Sequence, residues 1–539
     1  MPGTNARRAG RTVGTRSIGR HTGVLGVLVA VAVIAAAFAA PTARAAAPDD
    51  DALARIRAAG ELRWGADAQG GAPYVFQDPM DPNHLIGFEV DLAAAIAGEL
   101  GVRARPIQGQ WDVLLDLLAR GDFDVALNGI EVAEEKGRVA LLTRPYYVAP
   151  ERLTVRRADA QALRTLDDVR GRRVGTLPGS LAERILTRAG AEVRTYDGGQ
   201  NEIYADLVLG RTDAVLLDAP ISLYYGEIEP ALAAVPGDFG EVRYAIAVPL
   251  GADALRAALD DALGRLAADG RLRTIYERWG LWNAETAALL RDHHGESTGV
   301  AEALEAWRAA VGRPLPFLAR LRERYPQTIR LFARGALVTL ALSLVAMGLA
   351  VPLGVLLALV RKYGPAPLRW LAIGYVEFVR GTPLLVQLIM LYFGLPELGL
   401  TLDPFVAGAL ALGLNYAAAE AENYRAGLES VPVGQLEASW SLGLSTVQAL
   451  RYVIGPQAVR IAIPPATNDF IALLKDSSLV SLVTLTELTK TYSNLANAMR
   501  DHLGLGFLVA LWYLAIGLPF AWLARRAEAR LGRHLRSLA

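Results

Sequence analysis

The sequence predicts a multidomain protein in which an α/β half precedes an all-α polytopic membrane half. A chain of 539 residues is long enough for two or more domains. From Gly60 onward, short β-rich stretches alternate with stretches of helical apolar spacing, which is typical of parallel sheets covered by helices. Later, Gly335–Val360 is a run of 26 residues without a charge. Such a run exceeds the roughly 20 residues needed to cross a bilayer.

Composition excludes several functional classes. The formal net charge is zero, which gives no reason to expect a polyanionic partner such as nucleic acid. Cysteine is absent from the sequence, so there is no disulfide framework and no thiolate metal site. No metal, cofactor or catalytic residue is predicted. None of the lysines follows a glycine, so the Gly-Lys-Ser/Thr loop of an ATPase is missing; they are Lys136, Lys362, Lys475 and Lys490.

The N-terminus has the features of a targeting segment. Five arginines precede an apolar run, Val24–Ala40, and a small-residue site, Ala43-Arg44-Ala45, follows it. This order is typical of a secretory signal peptide, and the length of the run leaves an uncleaved signal anchor as an alternative. Residues 1–46 are therefore expected to place the next domain outside the cytoplasm in either case.

Four ordered motifs in the α/β half resemble the polar amino-acid family (family 3) of periplasmic solute-binding proteins. They are Gly87-Phe-Glu-Val-Asp-Leu, Gln110-Trp-Asp-Val-Leu, Gly121-Asp-Phe-Asp-Val-Ala and Arg144-Pro-Tyr-Tyr. The resemblance implies a solute-binding domain at 47–283 built from two α/β lobes. Lobe one would be about 55–150 and 246–283, and lobe two 151–245, with hinges near Ala149–Leu153 and Arg243–Ala247.

The membrane half is predicted to have five spans. These are Gly335–Val360, Gly381–Pro396, Pro404–Ala419, Ser477–Thr486 and Leu503–Ala524, of which Ser477–Thr486 is the weakest. Basic residues are concentrated after the first, third and last spans, which the positive-inside rule assigns to the cytoplasm. A linker at 284–324, rich in Ala, Glu and Arg, is expected to be partly helical and semi-rigid. The membrane domain is assigned to 325–539.

Motifs of the membrane half resemble the His/Glu/Gln-type permeases of ABC type I importers. They are Val376-Glu-Phe-Val-Arg-Gly-Thr-Pro-Leu-Leu-Val-Gln387, Glu437-Ala-Ser-Trp-Ser-Leu-Gly443 and Asn468-Asp-Phe-Ile-Ala-Leu-Leu-Lys-Asp-Ser-Ser-Leu-Val480. The resemblance implies import driven by a separate ATPase subunit, a permease homodimer and a bacterial cell membrane location. The ATPase-coupling residues would be Glu437, Ala438, Ser439, Gly443 and Pro456. The family has Leu where Gly455 stands in this chain.

The coupling motif should form a short helix. Leu436, Trp440 and Leu444 recur at a spacing of four residues and would form its apolar stripe. An ordinary amphipathic cytosolic helix is the alternative interpretation of this stretch taken alone.

The resemblance also implies a ligand pocket formed by Asp67, Trp111, Asn128, Gly129, Glu131, Lys136, Ser180, Leu181 and Asp218. In the family, the acid at Asp218 binds the ligand ammonium, and the aromatic at Trp111 packs against the ligand. Asp67 matches an acid that selects side chains. Lys136 stands at the carboxylate-binding Arg of the family, and Glu131 replaces a small hydroxyl residue.

Each pocket residue also has a structural interpretation. Asp218 could cap the helix that follows it, and Trp111 could be part of the core. Lys136 and Arg138 could be a solvated pair. Glu131 could bind a second ammonium, pair with Lys136 or point to water. The predicted ligand is a polar amino acid or another amine-bearing solute, with some preference for positive charge.

A ligand-gated channel or a sensor could use the same two-lobed domain. A channel would need a re-entrant filter between spans, and a sensor would need a cytoplasmic signalling domain. The sequence shows neither feature, so an importer component, which itself catalyses no reaction, is the favoured prediction.

Overall fold

The computed structural model describes residues 51–196, 199–292, 301–312 and 316–531, with side chains as far as Arg526. The predicted signal segment at 1–46 lies outside the described residues. The α/β half followed by a helical half is confirmed, and the two halves are described in turn.

The first sheet of the α/β half has five strands. Their order is Arg103–Gln108, Glu61–Ala66, Val125–Ala126, Ala247–Val248 and Leu141–Leu142. The first three run parallel, whereas Ala247–Val248 is antiparallel to both of its neighbours. Because the parallel strands point the same way, their carboxyl ends lie along one edge of the sheet, where ligands bind in folds of this class.

The second sheet has six strands and is mixed. Its main order is Leu232–Ala234, Tyr147–Arg156, Ala214–Asp218, Arg173–Thr176 and Glu192–Thr195, and Glu241–Tyr244 pairs with Tyr147–Arg156 as well. The ten-residue strand Tyr147–Arg156 is antiparallel to all three of its partners. Its register places Glu151 opposite Asp218. A separate two-stranded ribbon pairs Phe76–Gln77 with Leu85–Ile86.

Helices cover these sheets and bury apolar side chains against them. The α-helices of this half are Ala52–Ala59, Phe88–Leu100, Leu114–Arg120, Glu134–Gly137, Leu181–Ala189, Gln200–Val208, Ala219–Ile221, Asp253–Ala268 and Arg271–Arg278. Ser222–Gly226 is a π-helical turn, and Trp111–Val113 and Arg157–Asp159 are 3₁₀ turns. In Phe88–Leu100, Phe88, Leu92 and Ile96 recur at helical spacing and are buried, as the apolar pattern predicts.

The connecting and membrane segments are helical. Their α-helices are Ala284–Leu290, Glu302–Val311, Phe317–Glu323, Tyr325–Tyr363, Ala366–Gly381, Leu384–Ile389, Pro404–Glu429, Val433–Ser441, Thr446–Ala449, Gly455–Asp476, Leu488–Met499 and His502–Leu531. Met390–Gly394 and Leu450–Ile454 are π-helical turns, and Leu395–Leu398 and Ser477–Val483 are 3₁₀ helices. Two of the described helices, Tyr325–Tyr363 and the stretch His502–Arg526, are long and apolar enough to cross a membrane.

Two of the predicted spans need correction. Ser477–Thr486 is wrong, because Ser477–Val483 is a 3₁₀ helix of seven residues. At about 2 Å per residue it reaches only about 14 Å. Gly381–Pro396 begins at a sharp bend and not at the start of a helix. Ala366–Gly381 and Leu384–Leu398 meet there at 106°, and they make a third candidate span if the pair is taken together. Without Ser477–Thr486, four of the five predicted spans remain, and the number of spans is not confirmed.

A glycine at the start of Phe88–Leu100 should be essential for folding. Gly87 has φ +145°, and a Cβ there would lie 1.9 Å from the carbonyl oxygen of Tyr74. Gly87→Ala is therefore expected to lower the free energy of unfolding by about 2 kcal/mol or more. Gly98→Ala in the same helix has nothing within 4 Å and should stabilise by about 0.5–1 kcal/mol. Thermal unfolding of the purified full-length variants by scanning fluorimetry measures both, and equal unfolding temperatures would contradict this account.

Candidate ligand-binding site

A cavity of about 290 Å³ lies where the two sheets of the α/β half face each other. Its walls come from segments that follow the carboxyl ends of the strands, and from one residue of the membrane half, Leu482. They are Asp67, Gln69, Gly70, Tyr74, Gln110, Trp111, Asp112, Asn128, Gly129, Glu131, Glu151, Leu177, Pro178, Ser180, Ala182, Tyr196, Gly199, Gln200, Leu217, Asp218, Ile221 and Leu482. Of these described lining residues, five are carboxylic acids and none is lysine or arginine.

Asp218 ends a central strand and is held by two phenol hydroxyls. Tyr74 donates a hydrogen bond of 2.7 Å to its Oδ2, and the hydroxyl of Tyr244 donates to the same oxygen. Its other oxygen, Oδ1, has no hydrogen-bond partner within the described part of the chain. Burial raises the pKa of Asp218 to about 6, and the tyrosine hydrogen bonds oppose that shift. The two hydroxyls thus orient the acid, and one oxygen stays available to a ligand.

Glu151 is a second acid on the same wall. It is buried, and its Oε2 also has no partner among the described residues. Burial, together with the charges of Asp218 and Glu131, raises the pKa of Glu151 well above its usual range. An unsatisfied buried acceptor costs about 1–3 kcal/mol. Asp218 and Glu151 therefore offer two unsatisfied acceptor oxygens. A ligand with N–H donors would bind them and remove the free-energy cost of leaving them unsatisfied.

The opposite wall is built on the first sheet. The indole N–H of Trp111 donates to the carbonyl oxygen of Asn128 at 2.9 Å, which fixes the ring. The side chain of Asn128 accepts from the backbone N–H of Asp67 at 2.8 Å. Asp67 in turn accepts from Gln108 at 2.8 Å and from the backbone N–H of Trp111 at 3.3 Å. Asp67 is thus bound mainly to its own domain, and Trp111 presents an apolar face to the cavity.

Glu131 lies at a third corner of the cavity, among donors of its own chain. Its Oε1 accepts from the backbone N–H of Leu181 at 3.0 Å, and its Oε2 lies 3.3 Å from Nη2 of Arg184. Nζ of Lys136 is 3.8 Å from Oε2 and 4.9 Å from the centre of the Trp111 ring. Burial lowers the pKa of Lys136, and the charge of Glu131 opposes that shift. Of the alternatives left open for Glu131, the structure has the pairing with Lys136.

Most of the predicted ligand residues come together in this cavity. Asp67, Trp111, Asn128, Gly129, Glu131, Ser180 and Asp218 line it. Lys136 and Leu181 do not: the backbone N–H of Leu181 donates to Glu131, and Nζ of Lys136 lies 3.8 Å from the same carboxylate without a hydrogen-bond partner among the described residues. Arg138 is exposed and pairs with Glu134 at 2.5 Å, so it is a solvated side chain and not part of the cavity. Ser180 begins the helix Leu181–Ala189 and accepts from the backbone N–H of Glu183.

Sequence reasoning missed several lining residues. Glu151 was missed because its role depends on the register between two distant strands, which no local pattern reveals. Tyr74 stands in the segment Gln69–Tyr74, whose spacing differs from the family motif. Leu482 belongs to the stretch predicted to be a membrane span. Glu151 does lie within the predicted hinge Ala149–Leu153, but that position alone does not show that it faces the cavity.

The rim of the cavity contacts the membrane half. Nζ of Lys490 donates to Oε1 of Gln69 at 2.8 Å, and Lys490 is 2 % exposed. The side chain of Asn497 donates to the carbonyl oxygen of Gln69 at 3.1 Å. Asn201 donates to the carbonyl oxygen of Asn497 at 3.1 Å. Gln69 and the Gln200 helix flank the cavity, so the helix Leu488–Met499 lies directly against its rim.

Arg120 makes a second contact between the halves. Its guanidinium donates to the carbonyl oxygens of Tyr392 at 2.5 Å and Leu402 at 2.8 Å, and lies 3.8 Å from the centre of the Tyr392 ring. The residue is buried. Because a buried guanidinium needs its donors satisfied, this contact fixes the first lobe to the membrane half.

The predicted coupling helix is present but ends early. Val433–Ser441 is helical, and Gly443 follows it with φ +81°. The predicted apolar stripe of Leu436, Trp440 and Leu444 is wrong, because Leu444 lies beyond the end of the helix. Ser439 is buried, and its hydroxyl donates to the carbonyl oxygen of Gln435. The exposed apolar side chains are instead Val433, Trp440, Leu442 and Val447, of which Leu442 is 83 % exposed. They form a surface that could contact another protein.

The departure at Gly455 has a local cause. The π-helical turn Leu450–Ile454 precedes it, and Gly455 begins the helix Gly455–Asp476. A Cβ at this position would lie 2.6 Å from the carbonyl oxygen of Leu450. Only glycine therefore fits after this turn, and Pro456 follows at the second helical position, where a missing N–H costs least.

Two families match the chain, one for each half. Residues 62–281 match the bacterial extracellular solute-binding proteins, family 3. Residues 350–533 match the binding-protein-dependent transport system inner membrane component.

Individual relatives match the membrane half at near full length. The probable glutamine ABC transporter permease protein of Bacillus subtilis (strain 168) is 39 % identical over 193 residues, which is 36 % of this chain and 89 % of that protein. The L-cystine transport system permease protein of the same organism is 36 % identical over 202 residues, covering 37 % and 86 %. A solved ancestral arginine-binding protein bound to arginine is 31 % identical, with a TM-score of 0.38, covering 41 % of this chain and 98 % of its own.

The rim contact can be tested with introduced thiols, because the chain has no cysteine. Asn201→Cys combined with Asn497→Cys is expected to form an intramolecular link with a short thiol cross-linker, since the Asn201 side chain donates to the backbone carbonyl oxygen of Asn497 at 3.1 Å. A faster-migrating monomer band on a denaturing gel reports the link. The single variants are controls that cannot link within one chain. A dimer band in place of the fast monomer would mean that the domain docks on another copy.

Proposed function

This chain belongs to the amino-acid ABC transporter permeases and carries a family 3 solute-binding domain before its permease, and from that premise we propose how it captures and delivers its ligand. It is a component of an amino-acid ABC importer, a multi-pass membrane protein with an extracytoplasmic binding domain. The proposal assigns 47–283 to capture, 284–324 to the tether and 325–539 to translocation. The observation that carries it is the cavity whose wall includes Leu482 of the permease.

Capture rests on the acidic wall and the aromatic wall. The ligand is a small amine-bearing solute of the amino-acid class. Its ammonium group binds Oδ1 of Asp218, since a charge-assisted hydrogen bond is stronger than a neutral one. Its carbon skeleton packs on Trp111. Asn128, Gly129 and Ser180 surround it with polar groups at the strand ends, and Asp67 holds Trp111 and Asn128 in position.

Delivery follows from the contact at the rim. Gln69, at the cavity, is bonded to Lys490 and Asn497 of the permease. Opening of the lobes would release the ligand next to Leu482, on the permease side of the cavity. Because the binding domain is tethered to its own permease, the concentration of binding domain at the permease does not depend on how much free binding protein is expressed. This arrangement replaces a diffusing binding protein.

The driving force enters through the cytoplasmic loop. A separate ATPase subunit would cover the exposed side chains around Val433–Ser441, with Glu437, Ala438 and Gly443 at the contact. Ser439 and Pro456 would support the loop from inside, since Ser439 is buried and Pro456 lies in the first turn of the next helix. ABC importers use two permease halves, and a homodimer of this chain would supply both.

Ligand affinity should depend on pH through Asp218. A cationic ligand binds the ionised carboxylate, so the affinity is complete above the pKa of about 6 and falls as pH drops below it. Asp218→Asn should weaken binding about ten- to hundredfold at pH 7.5, the loss of one hydrogen bond to a charged group, and should flatten the pH profile. Titration calorimetry on the full-length chain with a panel of amino acids and amines measures both. The exposed Asp116→Asn is the matched control, and an unchanged profile in Asp218→Asn would refute the assignment.

The coupling loop can be separated from ligand binding. Glu437→Arg and Gly443→Val are expected to lower ligand uptake about tenfold or more in vesicles that contain the chain and its ATPase subunit, because they change the contact surface. Ligand affinity of the purified chain should stay the same.

A glycine elsewhere controls for backbone strain in that experiment. Gly399 has φ +80°, close to the +81° of Gly443, and both have open space around a Cβ. Gly399→Val should therefore carry the same local strain and leave uptake intact. Normal uptake and ATPase stimulation in Glu437→Arg and Gly443→Val would exclude the loop as the coupling site.

A further inference from the structure

The carboxylate of Glu131 occupies an anion site made by its own chain. Three donors surround it: the backbone N–H of Leu181 at 3.0 Å, the guanidinium of Arg184 at 3.3 Å and the ammonium of Lys136 at 3.8 Å. Leu181 is the first residue of a nine-residue helix, so its N–H carries the positive end of the helix dipole. The Glu131 side chain is only 7 % exposed. This donor set is the one that a ligand carboxylate would need.

The described cavity lining offers no second anion site like that of Glu131 to a ligand carboxylate. Of the described lining residues none is lysine or arginine. Arg184 and Lys136 lie 3.3 Å and 3.8 Å from the Glu131 carboxylate, which lies between them, although Nζ of Lys136 makes no hydrogen bond within the described part of the chain. A ligand carboxylate next to Glu131 would add a like charge in a buried site, which is unfavourable. Asp67, Glu151 and Asp218 are further carboxyl groups along the other walls.

The free oxygens of Asp218 and Glu151, away from Glu131, need hydrogen-bond donors and not a carboxylate. Oδ1 of Asp218 and Oε2 of Glu151 are without partners among the described residues, and the two residues face each other across neighbouring strands. Glu151 is 4 % exposed. A cationic group with several N–H donors can satisfy both oxygens at once, and an ammonium or guanidinium has that geometry. Trp111 and Tyr74 offer aromatic faces and edges to the rest of such a cation.

We propose that the preferred ligand is a small organic cation without a carboxylate, the amine counterpart of a basic amino acid. Glu131 fills the subsite that a ligand carboxylate would take, while Asp218 and Glu151 bind the cationic end. The inference rests on the proposed capture function and changes its preferred ligand from an amino acid to the corresponding diamine or guanidino-amine. A cavity of about 290 Å³ is of suitable size for such a molecule.

Matched pairs that differ only in the carboxylate test the proposal directly. They are agmatine with arginine, putrescine with ornithine, and cadaverine with lysine. Affinities are measured by titration calorimetry on the full-length wild-type chain in lipid nanodiscs. In at least one pair the amine should bind tenfold or more tightly than its amino acid. Equal or tighter binding of the amino acid in every pair would overturn the proposal.

Variants of Glu131 identify the cause of the preference. Glu131→Thr empties the anion site and leaves Leu181, Arg184 and Lys136 able to bind a ligand carboxylate, so the preference should reverse toward the amino acid. Glu131→Gln keeps the size and an acceptor for the Leu181 N–H, and should reduce the preference even if the threonine variant folds poorly. Glu134→Thr is the control, since Glu134 is exposed and pairs only with Arg138 among the contacts described. An unchanged preference in both Glu131 variants would contradict the assigned role.

The same panel distinguishes this inference from the proposed function. If a neutral amino acid such as glutamine binds most tightly and drives uptake, capture and import stand and the carboxylate-free ligand is excluded. If no amine or amino acid binds, both proposals fail. If amines bind tightly and lose affinity in Asp218→Asn, both are supported.

Discussion

The hydrogen bonds from Tyr74 and Tyr244 to Asp218 connect three distant segments of the binding domain at one point. Tyr74 lies in the segment after the first strand, Asp218 ends a strand of the second sheet, and Tyr244 lies in the strand that pairs with the end of Tyr147–Arg156. Asp218 and Tyr74 belong to opposite sides of the cavity, so this cluster exists only when the two sheets are close together. The closed cavity and the orientation of the acid therefore depend on the same two hydroxyls.

Closure also decides the electrostatics of the cavity. Asp218 and Glu151, which are cross-strand neighbours in one sheet, are buried in the closed cavity, and burial raises the pKa of each. Glu131 differs from both in its partners, because the guanidinium of Arg184 lies 3.3 Å and the ammonium of Lys136 3.8 Å from its carboxylate. Glu131 thus has donors from its own chain, whereas Asp218 and Glu151 each keep one oxygen without a partner among the described residues. That difference, and not the number of acids, determines which part of the wall can take a cation.

Sequence reasoning predicted the two halves, the family of each and seven of the residues that line the cavity. Those residues follow strand ends, and strand ends can be located from local patterns and motif resemblance. The resemblance implied a carboxylate-binding role for Lys136, but its ammonium lies 3.8 Å from Glu131, a contact that the local sequence does not reveal. Glu151 and Leu482 depend on strand register and on contacts between the halves, which are properties of the whole fold. The span at Ser477–Thr486 failed because an uncharged run inside a helical bundle need not cross the membrane.

The path from the cytoplasmic loop to the ligand cavity is covalent and almost entirely helical. The loop helix Val433–Ser441 leads through the turn Leu450–Ile454 into the helix Gly455–Asp476, and then through Ser477–Val483 to Leu488–Met499. Leu482 lines the cavity, and Lys490 and Asn497 bind its rim. A helix transmits displacement along its axis with little loss, since its backbone hydrogen bonds resist compression. Gly455 stands where the loop joins the helix leading to the receptor, and a Cβ there would lie 2.6 Å from the carbonyl oxygen of Leu450. Its backbone therefore sets the direction in which that helix leaves the loop.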